Sequence, residues 1–154
     1  LDGAEYYDKT KNGRKIKRWL LPDEREIFLM KASHVNHPSN IWARKCAENY
    51  DWLLDMWVWT CHEFEYRYGK SHKTLERLKY LTNRPKRITI NNAITEMPQA
   101  MPDYCKIENN PISAYKNYYI KEKNSFATWK NREIPEWYSK ELDNDNENLG
   151  QDVA

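Results

Sequence analysis

Glycine is scarce in this chain, at four residues in 154. With so few, no glycine-rich dinucleotide loop can be assembled. There is no G-x-S-x-G elbow and no phosphate loop ending in G-K-S/T, so Rossmann oxidoreductase, serine hydrolase and P-loop nucleotidase readings have no support. The three cysteines, Cys46, Cys61 and Cys105, are odd in number and carry no paired spacing. That excludes a disulfide framework and a zinc ribbon. Buried, reduced thiols of a cytosolic protein are the expectation. No apolar run approaches the ~20 residues that span a bilayer, and nothing at the start has the form of a signal peptide, so no membrane association is expected. Internal repeats are also missing.

Aromatic residues are plentiful. They make up 14% of the chain, so a few side chains can bury a large apolar area. Charge is unevenly placed. Residues 141–154 hold five acids and no base, which leaves 25 bases against 18 acids over residues 1–140, a net +7. A basic body followed by an acidic, Asn-rich tail points to an anionic partner for the body and to a protein partner for the tail. The first residue is Leu1. Met is normally removed only before a small residue, so the sequence is expected to be a fragment, a processed product or an incomplete start.

Residues 37–70 dominate the secondary-structure reading. Ala43, Cys46, Ala47, Tyr50, Leu53, Leu54, Trp57, Val58, Cys61, Phe64 and Tyr68 recur at helical spacing. They predict one long central helix over about 40–68, capped by Ser39 or Asn40 and closed by Gly69. Trp52 and Trp59 lie off that stripe, as on a helix packed on two sides. Upstream, the basic run from Lys9 to Arg18 reads as a loop turning at Asn12-Gly13. Pro22 to Glu26 opens a helix reaching about Ser33, with Ile27 to Met30 as its buried side. Downstream, Ser71 caps a helix over 72–81. An irregular segment follows over 82–110, with Ile88 to Ile90 extended. Asn110-Pro111 starts a last helix running to about Trp129. Trp137 and Tyr138 dock back on the body. The expected architecture is all-α: a single compact helical domain over 1–140 and a disordered acidic tail over 141–154.

Two basic-aromatic clusters could carry function. The first runs from Tyr66 to Lys73, where Lys70 and Lys73 surround the expected helix start at Ser71, an arrangement suited to phosphate. The second runs from Lys116 to Arg132, with Lys121, Lys130, Tyr118 and Trp129. Its cations suit phosphates and its rings suit bases. Arg44 beside Trp42 can clamp a phosphate and a base. His34 and His37 form an H-x-x-H pair before the long helix, but no further ligands accompany them, so no metal is expected. Glu63 and Glu65 lie on different helix faces. Glu48 and Asp51 share one, read as a charged face. No cofactor motif is present, and no cofactor is expected.

Three blocks carry a family resemblance. They are HPSNIWARKCAENYDWL with EFEYRYGKSHKT, then MPQAMPDYCK, then AYKNYYIKEKNSFATWKNREIPEWY, spanning about residues 34–138. They resemble a phage-encoded family described as similar to the pyrimidine-dimer DNA glycosylases of endonuclease V type. That resemblance implies a helical domain binding duplex DNA on a basic concave face, in the cytoplasm of an infected host cell. It also implies a glycosylase/AP lyase that attacks the sugar with an N-terminal amine and forms a Schiff base, helped by an early Glu. Neither group has a match in this chain, so its catalytic residues are unassigned. The positions expected to contact DNA are Arg44, Lys70, Lys73, Lys116, Lys121, Lys130 and Arg132, with His34, His37, Trp42 and Trp129 lining the site. The alternative is a non-enzymatic phage protein that binds a nucleotide or a host factor. A third reading is a structural or assembly protein.

Overall fold

A computed structural model describes residues 3–139. The acidic segment 141–154 lies outside the described residues. Contacts divide the chain into two compact units, Leu1–Thr95 and Glu96–Ala154.

The all-α expectation is corrected in the first unit, which opens with an antiparallel hairpin. Strands β1 (Ala4–Lys9) and β2 (Lys15–Leu20) pair from Ala4↔Leu20 to Lys9↔Lys15. The turn falls where the Asn12-Gly13 pair placed it. Gly13 N–H donates to the Thr10 carbonyl and sits at φ 74°, the left-handed position that a three-residue hairpin loop assigns to glycine. Diagonal pairs reinforce the strands: Lys17 with Glu5 at 2.7 Å, and the Lys15 ammonium 4.1 Å from the Tyr7 ring. The strands escape a sequence reading because β1 has no alternating apolar face. Tyr6 alone of its six residues is half-buried.

The helix expected over 22–33 shrinks to α1, Arg25–Phe28. The Asp23 carboxylate takes both the backbone N–H and the guanidinium of Arg25, and Glu26 accepts the Leu21 N–H at 2.9 Å. Leu29 then turns extended, at ψ 151°. The expected buried side is corrected with it, since Ile27 is 81% and Met30 73% exposed.

The long helix is two helices. α2 (Pro38–Ala43) and α3 (Ala47–Tyr68) are separated by a break at 44–46, where Cys46 adopts an extended conformation (φ −151°, ψ 165°). No Pro or Gly marks the break. It exists because Ala47 N–H donates outward to the Thr89 carbonyl at 2.7 Å. The N-terminal cap is His37, whose Nδ1 accepts the Ser39 N–H at 3.2 Å, rather than Ser39 or Asn40. Gly69 closes α3 in the left-handed region as expected, with its N–H on the Glu65 carbonyl. Small buried residues at the break (Ala43, Cys46, Ala47) let the two helices approach closely, and Trp42 meets Trp52 edge to face at 5.5 Å. Trp59, by contrast, is 73% exposed, so it gives α3 no second packed side. All three cysteines are buried and unpaired.

The helix expected over 72–81 is replaced by a 3₁₀ turn, Leu75–Tyr80. Ser71 does not cap it; its hydroxyl donates weakly to Glu65 at 3.4 Å. Residues 82–95 are irregular, as expected, and 88–90 form no strand.

The second unit is built on α4 (Pro111–Lys123), with a 3₁₀ turn at Asp103–Cys105 before it and another at Asn124–Phe126 after it. Its start is as expected, with the Asn110 side chain accepting from Ser113 N–H and Pro111 in the first turn. Its end comes earlier than Trp129. Beyond it the chain folds back, and Tyr119, Trp129, Trp137 and Tyr138 form a ring cluster with centroids 5.2–6.5 Å apart. Tyr138 is buried, and its hydroxyl donates to Asn124 Oδ1 at 2.7 Å. The docking of Trp137 and Tyr138 is therefore as expected.

Candidate nucleic-acid interface

The first turn of α3 fastens the whole irregular segment that follows Leu81. Ala47 N–H donates to Thr89, and Glu48 accepts the backbone N–H groups of Asn91 and Asn92 at 2.9–3.2 Å. Asn49 is fully buried. Its amide donates to the Trp42 carbonyl and to Thr95 Oγ1, and its carbonyl accepts Thr95 N–H. Tyr50 donates to the Leu81 carbonyl at 2.5 Å, and Asp51 takes the Arg84 guanidinium through both oxygens. Glu48 and Asp51, read from the sequence as a charged face, are thus clasps. Five successive residues hold a segment whose backbone has no ladder of its own to satisfy it.

That clasp presents the basic run Arg84-Pro85-Lys86-Arg87 at the surface. An open groove of about 590 Å³ lies beside it, lined by Arg25, Lys79, Arg84, Lys86 and Arg87 against Asp23 and Glu24. Arg25 and Arg84 are held in place by Asp23 and Asp51. Lys86 and Arg87 are exposed and make no ion pair among the described residues. Clustered cations with few acids raise the local potential and attract polyanions. At one side Phe28 stacks on Tyr80, with centroids 4.8 Å apart and planes within 11°. The Lys79 ammonium lies 4.8 Å from the Tyr80 ring. A cation over a stacked aromatic pair is a common element of nucleic-acid surfaces.

A smaller cavity of about 290 Å³ adjoins the groove and shares Arg25 and Arg87 with it. Its walls come from the end of β2, α1, Tyr50 and the segment from Leu81 to Ile88.

The residues singled out from the sequence scatter. Arg44 lines the cavity, and its guanidinium donates to the Val35 carbonyl at 2.7 Å. His34 and His37 belong to the loop that opens α2. The His34 carbonyl accepts Asn40 Nδ2 at 2.9 Å, and the His37 ring is the cap. Trp42 is a core residue, 6% exposed, with its indole N–H on the Thr95 carbonyl. Lys70 and Lys73 are exposed on the stretch after Gly69, and the α-helix start expected to share a phosphate with them is not formed. Among the described residues, no group of three His, Cys, Asp or Glu gathers as metal ligands.

In the second unit Lys116 reaches over the Trp137 ring at 5.6 Å, and Lys123 over Tyr118 at 5.0 Å. Lys121, Lys130 and Arg132 are exposed. Trp129 is half-buried and packs in the ring cluster against Tyr119, Trp137 and Tyr138. Tyr104 donates to the Glu122 carboxylate, which raises its phenol to about 12.

Sequence reading passed over Trp19, Arg25, Lys79, Arg84, Lys86 and Arg87. The signal for the last three was present: an R-P-K-R run inside a long irregular segment. Its fastening to α3 depends on pairings some forty residues apart, which no local pattern records.

No helix among the described residues is long and apolar enough to cross a membrane. Comparison with protein-family models, with curated proteins and with solved structures gave no match to this chain.

Proposed function

We propose that this protein binds DNA, with the open groove of the first unit as its contact to the phosphate backbone. The observation that carries this reading is the gathering of five cations against two acids in one groove, three of those cations (Lys79, Lys86 and Arg87) carrying no ion pair among the described residues. Duplex DNA holds about one negative charge per 1.7 Å of axis, and its neutralisation releases counterions, so such a groove gains affinity without reading sequence. Lys86 and Arg87 are the primary phosphate contacts, Arg84 and Arg25 are pre-positioned ones, and Lys79 with the Phe28–Tyr80 stack forms the edge. Within the second unit, taken by itself, Lys116, Lys121, Lys130 and Arg132 are exposed cations suited to phosphate. The resemblance to the dimer glycosylases adds amine-based base excision to this reading, but its nucleophile and early Glu match no residue here, so that chemistry is assigned to no side chain.

The test is anisotropy titration of a labelled duplex. Lys86→Ala/Arg87→Ala is expected to weaken binding roughly tenfold or more, to the same degree on unrelated sequences. Unchanged affinity contradicts the assignment.

A further inference from the structure

The cavity beside the groove differs from it in kind. It is small and mostly apolar, walled by Leu21, Leu29, Leu81 and Ile88 with the aromatic Trp19 and Tyr50. At about 290 Å³ it lies just below the ~300–1,000 Å³ typical of small-ligand sites, so it suits one small molecule and not a duplex. Its charged lining is Arg25, Lys31, Arg44 and Arg87 against the single carboxylate of Glu26.

These charges are differently committed. Arg25 is chelated by Asp23, and Lys31 lies 4.0 Å from Asp8. Arg44 has one guanidinium nitrogen on the Val35 carbonyl. Arg87 makes no hydrogen bond or ion pair among the described residues. Glu26 has one oxygen on Leu21 N–H and one with no hydrogen bond among the described residues.

We infer that this cavity is a binding site for a nucleoside 5′-monophosphate. A planar base suits apolar walls that include an indole and a phenol ring, where stacking rewards a flat π-face. The second oxygen of Glu26 accepts an N–H from the edge of the base. Arg87 and the remaining donors of Arg44 take the phosphate, since a guanidinium fork matches its oxygens. Glu26 also argues against the plainest competitor. An aliphatic acid has the negative end but would lay hydrocarbon against a carboxyl oxygen that has no hydrogen bond among the described residues, which is costly. A nucleotide satisfies both ends.

The shared chemistry is a 5′-nucleotide, whether free or at the end of a strand. The inference touches the groove reading through Arg87, which lines both sites; the other shared residue, Arg25, is held by Asp23 and is given no role in binding the nucleotide. The experiment is isothermal titration of the whole chain with AMP, GMP, CMP and UMP, with inorganic phosphate as the comparison. One-to-one saturation by at least one nucleotide, at least tenfold tighter than by phosphate, is expected. Arg87→Gln should weaken it tenfold or more. Leu29→Trp, which fills the apolar wall, should remove nucleotide binding while duplex binding in the same preparation persists. No saturation by any of the four, equal affinity for phosphate, or an Arg87→Gln variant that binds as the wild type does overturns the inference. Competition by a 5′-phosphorylated oligonucleotide, but not by its unphosphorylated twin, supports the site and assigns the strand end. No competition by either, with free nucleotide still bound, supports it and assigns the free nucleotide. The two readings fail separately: duplex binding without nucleotide binding removes this inference alone, and nucleotide binding without duplex binding removes the groove reading alone.

Discussion

Asn49 and Thr95 are joined twice: the Asn49 carbonyl accepts Thr95 N–H at 2.9 Å, and its amide donates to Thr95 Oγ1 at 2.7 Å. The same amide also donates to the Trp42 carbonyl at the end of α2. One buried polar side chain therefore ties the helix break to the far end of the 82–95 segment. Asn49→Ala leaves the Thr95 N–H without this partner, while the Trp42 carbonyl keeps the Lys45 N–H at 3.0 Å, and should cost about 1–3 kcal/mol for the group left unsatisfied, as seen by urea denaturation. A variant as stable as the wild type contradicts the clasp.

Gly69 closes α3 at φ 64°, and a methyl group added there would meet nothing within 4 Å. Gly69→Ala thus tests backbone conformation with no steric term. It should destabilise the first unit by about 1–2 kcal/mol, the cost of the left-handed region to an L-residue. Gly69→Asn should cost less, because Asn tolerates that region better. Equal losses for the two would show that conformation is not what selects glycine.

Tyr138 separates a hydrogen bond from a packing contribution. Tyr138→Phe removes only the bond to Asn124 and should cost about 0.5–1.5 kcal/mol, whereas Tyr138→Ala empties the centre of the ring cluster and should cost about 3–5 kcal/mol. Comparable losses would mean that the ring cluster contributes little.

Acid should loosen the clasp through Glu48. Its carboxylate is held below the usual value of 4.5, first by its own backbone N–H and then by those of Asn91 and Asn92. A carboxyl depressed on folding contributes stability that is full above its unfolded value and is lost as pH falls through its folded value. Melting temperature should therefore fall below about pH 4.5. Glu48→Gln should lower it at neutral pH and flatten that acid limb. An unaltered limb would place the acid sensitivity elsewhere.

How much of this was legible in the sequence depends on whether the signal is local. The caps at Asn110 and Gly69, the hairpin turn at Gly13 and the return of Trp137 and Tyr138 were readable, because each rests on neighbouring residues or a strong aromatic pattern. The all-α fold was not right, because a hairpin with one half-buried residue in β1 carries no alternation. The break at 44–46 was hidden, because the apolar stripe runs through it unbroken while Thr89, from far along the chain, takes the Ala47 N–H. The candidate site suffered most. Trp42 and Trp129 read as exposed partners for bases, but one serves the core and the other a ring cluster. Arg87, which the folded chain sets between groove and cavity, had only its three basic or Pro neighbours to mark it.

The central claim is that the groove, and Lys86 with Arg87 in particular, meets the DNA backbone. Its most direct test is the slope of log affinity against log salt for duplex DNA, in the wild type, in Lys86→Ala/Arg87→Ala and in Lys70→Ala/Lys73→Ala. Each lost phosphate contact reduces the slope by about one. The account predicts a slope shallower by about two in the Lys86/Arg87 variant and a smaller change in the Lys70/Lys73 variant, where the expected helix start is not formed. A Lys86/Arg87 variant with the wild-type slope would contradict it.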